Sequence, residues 1–281
     1  MIEARFYKQA GERLECLLCP HKCRIGEGKS GRCLAREHRE GKLIAEGYGR
    51  VTALSLDPIE KKPLRHFYPG SRILSLGGYG CNMRCAFCQN SDISQYKAVT
   101  EFYAPADLLQ AARRQIKNIG LAFTYNEPLI NIEYILDTAP LFKECGLKVV
   151  LVTNGLICAE PLAVLLPWVD ALNIDVKGHT EEYYRKLGGD LQTVKKTVEN
   201  SASNCHVEIT TLVAPGENDS VEEIEALTDW LASISSDIPL HLSRFFPRYL
   251  MTNKAPTPVE TLNKLAAIAR HRLKYVYIGN V

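Results

Sequence analysis

The chain has 281 residues, 46% of them hydrophobic and 23% charged, which suits one large globular domain plus a small extra module. Lysine and arginine number 34 against 32 acidic residues, and a net charge of +2 argues against a dedicated nucleic-acid binder. No apolar run reaches the length of a membrane span, residues 162–169 being broken by Pro167, and no signal-like segment precedes Glu3 and Arg5, so a cytoplasmic protein with no membrane partner is expected.

Residues 1–70 show no helical periodicity. Gly26, Gly28, Gly31, Gly41, Gly47 and Gly49 punctuate short segments such as 43–48 and 51–56, which predicts a small, loop-rich, β-containing module. Seven of the ten cysteines fall in two tight clusters, and in a reducing compartment such clusters point to metal ligands rather than disulfides. The first cluster is Cys16, Cys19, Cys23 and Cys33, spaced C-x2-C-x3-C-x9-C. Four thiolates in a core-poor module are what a structural zinc or a closed iron–sulfur cluster needs, and the spacing does not separate the two. His21 or His38 could replace a thiolate. The alternative is that the module packs on the rest of the chain with its cysteines as small buried residues.

From residue 71 onward a βα rhythm sets in. Strands are expected at 72–78, 120–125, 148–153, 171–176, 207–213, 240–244 and 275–278, and helices at 106–117, 130–145, 159–166, 190–203, 221–233 and 258–271. Asp219-Ser220 and Thr257-Pro258 are expected helix starts. Seven strands alternating with six helices imply a parallel sheet with right-handed crossovers, one unit short of a closed eight-fold barrel. Gly77-Gly78-Tyr79-Gly80 lacks the spacing of a dinucleotide fingerprint, so nothing favours a doubly wound sheet.

The second cysteine cluster is Cys81, Cys85 and Cys88, spaced C-x3-C-x2-C. Three thiolates leave one iron of a [4Fe–4S] cube without a protein ligand, open to a small molecule. A three-thiolate zinc site with a distant fourth ligand is the alternative. Chemistry in parallel βα folds gathers at strand ends, and the ends here are polar. They carry Thr124-Tyr125-Asn126-Glu127-Pro128, Thr153-Asn154-Gly155, Asp175-Val176-Lys177 and His241-Leu242-Ser243-Arg244. Asp175 and Lys177 are two apart and share a face, as do His241 and Ser243. Asn126 before Glu127-Pro128 would also serve as a helix cap.

The run Gly80–Asn90, with Phe87 just before the last cysteine, resembles the signature of the radical S-adenosylmethionine (SAM) superfamily. Together with the run 16–23, Gly31-Arg32-Cys33, the run 57–64 and Tyr125-Asn126-Glu127-Pro128, it is similar to the radical SAM member of the AmmeMemoRadiSam system. That subgroup is related to pyruvate formate-lyase activating enzymes. The resemblance implies an α/β fold with a partial (β/α)6-type barrel over 71–281, preceded by the module 1–70. It implies a [4Fe–4S] cluster on Cys81, Cys85 and Cys88 whose open iron chelates SAM, and an electron donor such as flavodoxin or ferredoxin. Residues implied to contact SAM are Asn126, Glu127, Asn154, Asp175, Lys177 and His241; Asn126 stands where many members have glycine. Reductive SAM cleavage and hydrogen abstraction would follow, from a small-molecule or protein substrate that the resemblance leaves open. An activase that installs a glycyl radical on a partner is the nearest alternative. An iron–sulfur or zinc electron carrier is the alternative of another class, and SAM cleavage would separate it.

Overall fold

In the computed structural model, which describes residues 1–281, every strand expected after residue 71 joins one sheet. The chain begins outside it. Strands β1 (Tyr7–Ala10), β2 (Arg13–Cys16) and β3 (Arg24–Ile25) make a small antiparallel sheet. Strands β4 (Arg36–Arg39) and β5 (Lys42–Ala45) form a hairpin. Its turn residues Glu40 and Gly41 both have positive φ, the backbone a two-residue hairpin turn favours. Strand β6 (Arg50–Val51) pairs with β9 (Glu101–Phe102).

The main sheet starts one strand earlier than expected. Strand β7 (Ala53–Pro58) runs antiparallel to β8 (Arg72–Gly77) and forms one edge. After β8 come α1 (Ser91–Ser94), α2 (Pro105–Arg113), β10 (Asn118–Phe123), α3 (Ile132–Glu144), β11 (Lys148–Thr153), α4 (Ala159–Leu165) and β12 (Ala171–Asp175). Then follow α5 (Glu181–Lys186), α6 (Leu191–Ala202), β13 (His206–Val213), α7 (Val221–Ile234), β14 (Leu240–Arg244), α8 (Val259–Ala269) and β15 (Val276–Gly279). The strand order is β15-β14-β13-β12-β11-β10-β8-β7, and all of these but β7 are parallel. Strands β7 and β15 do not pair, so the barrel stays open on one side.

Burial explains the pattern. The central strands are covered on both faces, as parallel strands between helices must be. Helix α7 turns Ile224, Leu227, Thr228 and Leu231 inward at helical spacing, and Ser220 caps it by accepting from the Glu223 amide. Thr257 does not cap α8. Its hydroxyl donates to the Val213 carbonyl at 2.6 Å and accepts from the Phe245 amide, tying β13 to the end of β14. Helix α5, too short to show a period, is started by Thr180 accepting from the Tyr183 amide. No helix is long and apolar enough to cross a membrane.

One irregular segment matters for the site. After β7 a 3-10 turn (Ile59–Lys61) leads the chain across the N-terminal ends of the parallel strands. Asn173 on β12 donates to the Pro63 carbonyl, and Glu208 on β13 accepts from the Arg65 and His66 amides. His66 reaches the Tyr277 hydroxyl on β15 at 2.7 Å. The segment thus runs beneath the barrel from one sheet edge to the other.

Candidate active site

Cys81, Cys85 and Cys88 follow β8 and line a cleft of about 370 Å³. Its loop is anchored from several sides. Asn126 accepts from the Gly78 amide at 2.9 Å and donates to the Tyr79 and Gly80 carbonyls. Asn82 donates to the Leu156 carbonyl at 2.8 Å, and the Arg84 amide donates to the Leu187 carbonyl. Gly80 has φ +84°, and a Cβ there would lie 2.1 Å from the Cys33 carbonyl, so no other residue fits.

The strand ends expected to contribute converge on the same cleft. Asn126, Glu127, Asn154, Asp175 and Lys177 all line it. Glu127 caps the 3-10 turn Pro128–Asn131, accepting from the Leu129 amide, the Thr153 hydroxyl at 2.6 Å and the Asn154 amide at 2.8 Å. The cap is therefore Glu127 and not Asn126, whose side chain is spent on the cysteine loop. Burial pushes the Glu127 carboxyl up to about 7 despite these three donors and the nearby Lys177. Asn154 donates to Asn82 and lies 3.6 Å from the Cys81 sulfur. Lys177 pairs with Asp175 at 2.9 Å. Burial opposes the Lys177 charge, but Asp175 and the Cys85 sulfur together hold its ammonium above the usual lysine range.

His241 stands apart from this set. It does not line the cleft; its Nε2 lies 2.7 Å from Glu208, and its ring stacks on Tyr277. Ser243, two residues on and on the same face, is the one that reaches the cleft. Face was readable from a period of two; depth along the strand was not. The cleft also takes residues to which sequence reasoning gave no contact: Thr153 and Tyr125, quoted only within the strand-end runs, and Gln95, Lys61 and Lys62. The Asp57–Leu64 run had marked the last two only as a motif.

The donor set suits an iron–sulfur cube. Each thiolate of such a cube binds a different iron, so the sulfurs need not converge on a point; nowhere in the chain, the N-terminal cysteines included, are three His, Cys, Asp or Glu side chains grouped to hold a single ion. Burial pushes the Cys85 thiol up to about 11, offset in part by Lys177, and raises Cys81 as well, so binding a cation would favour deprotonation of both. A polar ligand is also accommodated. The buried Oε1 of Gln95, in the cleft wall, has no hydrogen-bond partner.

The other cysteine cluster forms a second pocket. Cys16, Cys19, Cys23 and Cys33 line it with His21, Arg36 and apolar residues, leaving about 10 Å³ of room. His38 points away, its ring nitrogens held by the Ile25 carbonyl and Glu27. Arg36, fully buried, pairs with Glu133 and lies 3.9 Å from the Cys16 sulfur. The two cysteine regions touch: His21 at 2.8 Å and Arg32 at 3.2 Å both reach the Asn82 carbonyl.

Comparison with known proteins agrees with this geometry. Residues 76–231 match the radical SAM superfamily. An uncharacterized protein of Methanocaldococcus jannaschii, MJ0808, is 40% identical over the whole of this chain and 86% of its own length. The pyruvate formate-lyase-activating enzyme of Clostridium pasteurianum is 26% identical over 55% of this chain and 67% of its own length. The crystal structure of a radical SAM methyltransferase from Sphaerobacter thermophilus superposes with a TM-score of 0.57 at 17% identity, over 75% of this chain and 67% of its own. On the match over more than half its length, its parallel partial barrel and its three-cysteine cleft, this chain belongs to the radical SAM superfamily.

Proposed function

We propose that the protein cleaves SAM reductively at a [4Fe–4S] cluster held by Cys81, Cys85 and Cys88 and uses the resulting radical to abstract hydrogen from a substrate. One observation carries this: three cysteines in C-x3-C-x2-C spacing and the polar ends of three successive strands line a single cleft. The cluster, when bound, supplies the electron that breaks the SAM carbon–sulfur bond. The chain's own residues position the cosubstrate. Lys177 offers a cation to the SAM carboxylate, Asp175 holds that lysine in place, and Glu127 offers a buried carboxylate to the SAM amino group. Asn126 and Asn154 act one step back, fixing the loop that carries the cysteines. His241 is assigned no contact with SAM; its partner is Glu208.

The barrel, residues 71–281 with β7 added, is the catalytic unit in this proposal, and residues 1–70 are a module whose four cysteines hold a structural zinc or a second cluster. Similarity to a pyruvate formate-lyase-activating enzyme favours one refinement, that the substrate is a protein in which a radical is installed. The decisive experiment is anaerobic reconstitution followed by reduction in the presence of SAM. Release of 5′-deoxyadenosine is expected, slow without the true substrate. No release from a protein with a full cluster would overturn the proposal.

A further inference from the structure

We propose that the end of the cleft floored by Lys61 and Lys62 binds an anionic group, a carboxylate or a phosphate, of the molecule on which the radical acts. The proposal rests on the radical SAM reading of the cleft, because it assigns this end to the substrate.

Placement comes first. Strand β7 runs against β8, so its last residues lie beside the first residues of β8, with Pro58 opposite Arg72. Lys61 and Lys62 therefore rise from the end of the barrel opposite the cysteines, yet both line the same cleft. A molecule lodged between them and the cluster would span the barrel interior.

Charge comes second. Asp57 accepts from Lys62 at 2.8 Å, from Lys61 at 3.3 Å and from the Tyr125 hydroxyl at 2.5 Å. Two ammonium groups thus share one carboxylate, and one positive charge is left over. The other charged groups of the cleft are those assigned to SAM above: Asp175 and Lys177 balance each other, and Glu127 is an anion, so none adds a second unmatched cation. The unmatched cation sits only at this end.

Construction comes third. Lys62 is only 2% exposed, and burying a lysine is costly. A fold that needed only to close the barrel floor could use an apolar side chain there. Lys62 instead lines the cleft, its ammonium hydrogen-bonded to Asp57 and 4.5 Å from the centre of the Tyr125 ring. Tyr125 itself holds φ +70°, a conformation that bulky residues rarely adopt and that clusters at ligand sites. Its hydroxyl is fixed on Asp57 and its carbonyl accepts from Asn90 beside the cysteine loop, so one strained residue links the two ends.

The test titrates the reconstituted holoprotein with inorganic phosphate and, separately, with malonate, at low ionic strength by calorimetry. Saturable binding of at least one anion is expected. Lys61→Met, at an exposed side chain, should weaken it by about fivefold or more, the scale of one charge-assisted contact. Lys274→Met, which removes an exposed lysine paired to Asp237, should leave it unchanged. A double variant Asp57→Asn with Lys62→Met removes both buried charges together; if its thermal melt shows it folded, it too should lose binding. Tighter phosphate would point to a phosphate ester and tighter malonate to a carboxylate. No saturable binding to the wild type, or a loss below about fivefold in Lys61→Met, would overturn the subsite. A protein that binds the anion through Lys61 yet releases no 5′-deoxyadenosine would keep the subsite and overturn the radical reading. One that cleaves SAM but ignores both anions would do the reverse.

Discussion

Cys16, Cys19, Cys23 and Cys33 line a pocket with about 10 Å³ of room, whereas Cys81, Cys85 and Cys88 line a cleft of about 370 Å³. Thiol acidity does not tell them apart. Burial pushes Cys33 and Cys85 alike up to about 11, and Cys19 to about 12. Space and lining do. The small pocket is walled largely by Leu18, Ile25, Ile130 and the arginine side chains, and offers nothing for a cosubstrate to bind. The cleft is walled by amides, hydroxyls and a lysine–aspartate pair. Four thiols in a sealed space suit a closed coordination shell, and three in an open space suit one that must accept a further ligand.

The bluntest way to break this contrast is Cys85→Ala. It should abolish 5′-deoxyadenosine release and iron at the cleft while leaving any metal at the N-terminal pocket, as elemental analysis would show; full activity in this variant would sink the assignment. Replacing all three cleft cysteines by Ala sharpens the point, because stoichiometric zinc or iron remaining in a folded protein must sit on Cys16, Cys19, Cys23 and Cys33.

Gly80→Ala attacks the place where the two regions meet. The added Cβ would overlap the Cys33 carbonyl and force a left-handed backbone on alanine, a destabilisation of about 3 kcal/mol or more. Denaturant melts should show it, with cluster content falling in parallel. A wild-type melt would mean that the regions are not coupled through this contact.

Acid tests how the segment beneath the barrel is held. Burial opposes ionisation of Glu208, but His206, His241 and two backbone amides outweigh it and hold its carboxyl down to about 2, from an ordinary 4.5. A depressed carboxylate stabilises the fold fully above its ordinary value. That stabilisation, on the order of 3 kcal/mol, is lost as pH falls from about 4.5 toward 2. Both tryptophans, Trp168 and Trp230, lie in the barrel, so their fluorescence should report the loss. In Glu208→Gln the pH dependence across that window should flatten.

The smallest effect is expected at Lys177→Ala, which should weaken SAM binding by about 1–3 kcal/mol without changing metal content at either pocket. Unchanged SAM affinity would remove Lys177 from the proposed contacts.

Much of the cleft was legible because it is built from local signals. The cysteine spacing lies within eight residues, and each polar strand end directly follows an apolar run. What stayed hidden depends on long-range placement. Strand β7 looked like part of a glycine-rich module, since nothing local shows that 53–58 will pair with β8. The Asp57–Lys62–Tyr125 contact joins residues 68 positions apart and follows from that pairing. His241 was given the correct face of β14, but Glu208 on the neighbouring strand decides what it touches. Asn126 looked like a cap because its own neighbours allowed it, whereas its partners are Gly78, Tyr79 and Gly80.

The anchoring of the cysteine loop bears on how the protein is made. Cys81 to Cys88 leave the ribosome well before Leu156 and Leu187, the residues whose carbonyls order Asn82 and Arg84. Until those arrive the Cys81, Cys85 and Cys88 thiols lack these anchors. The N-terminal cysteines are drawn together much sooner, because the Cys16 amide already bonds the Cys23 carbonyl within a few residues of chain. The backbone around the N-terminal cysteines is therefore fixed in part by local contacts, whereas the cleft loop waits for residues far downstream. Expression in iron-poor, zinc-rich medium should load the two regions unequally, and cluster assembly at the cleft belongs to the completed chain.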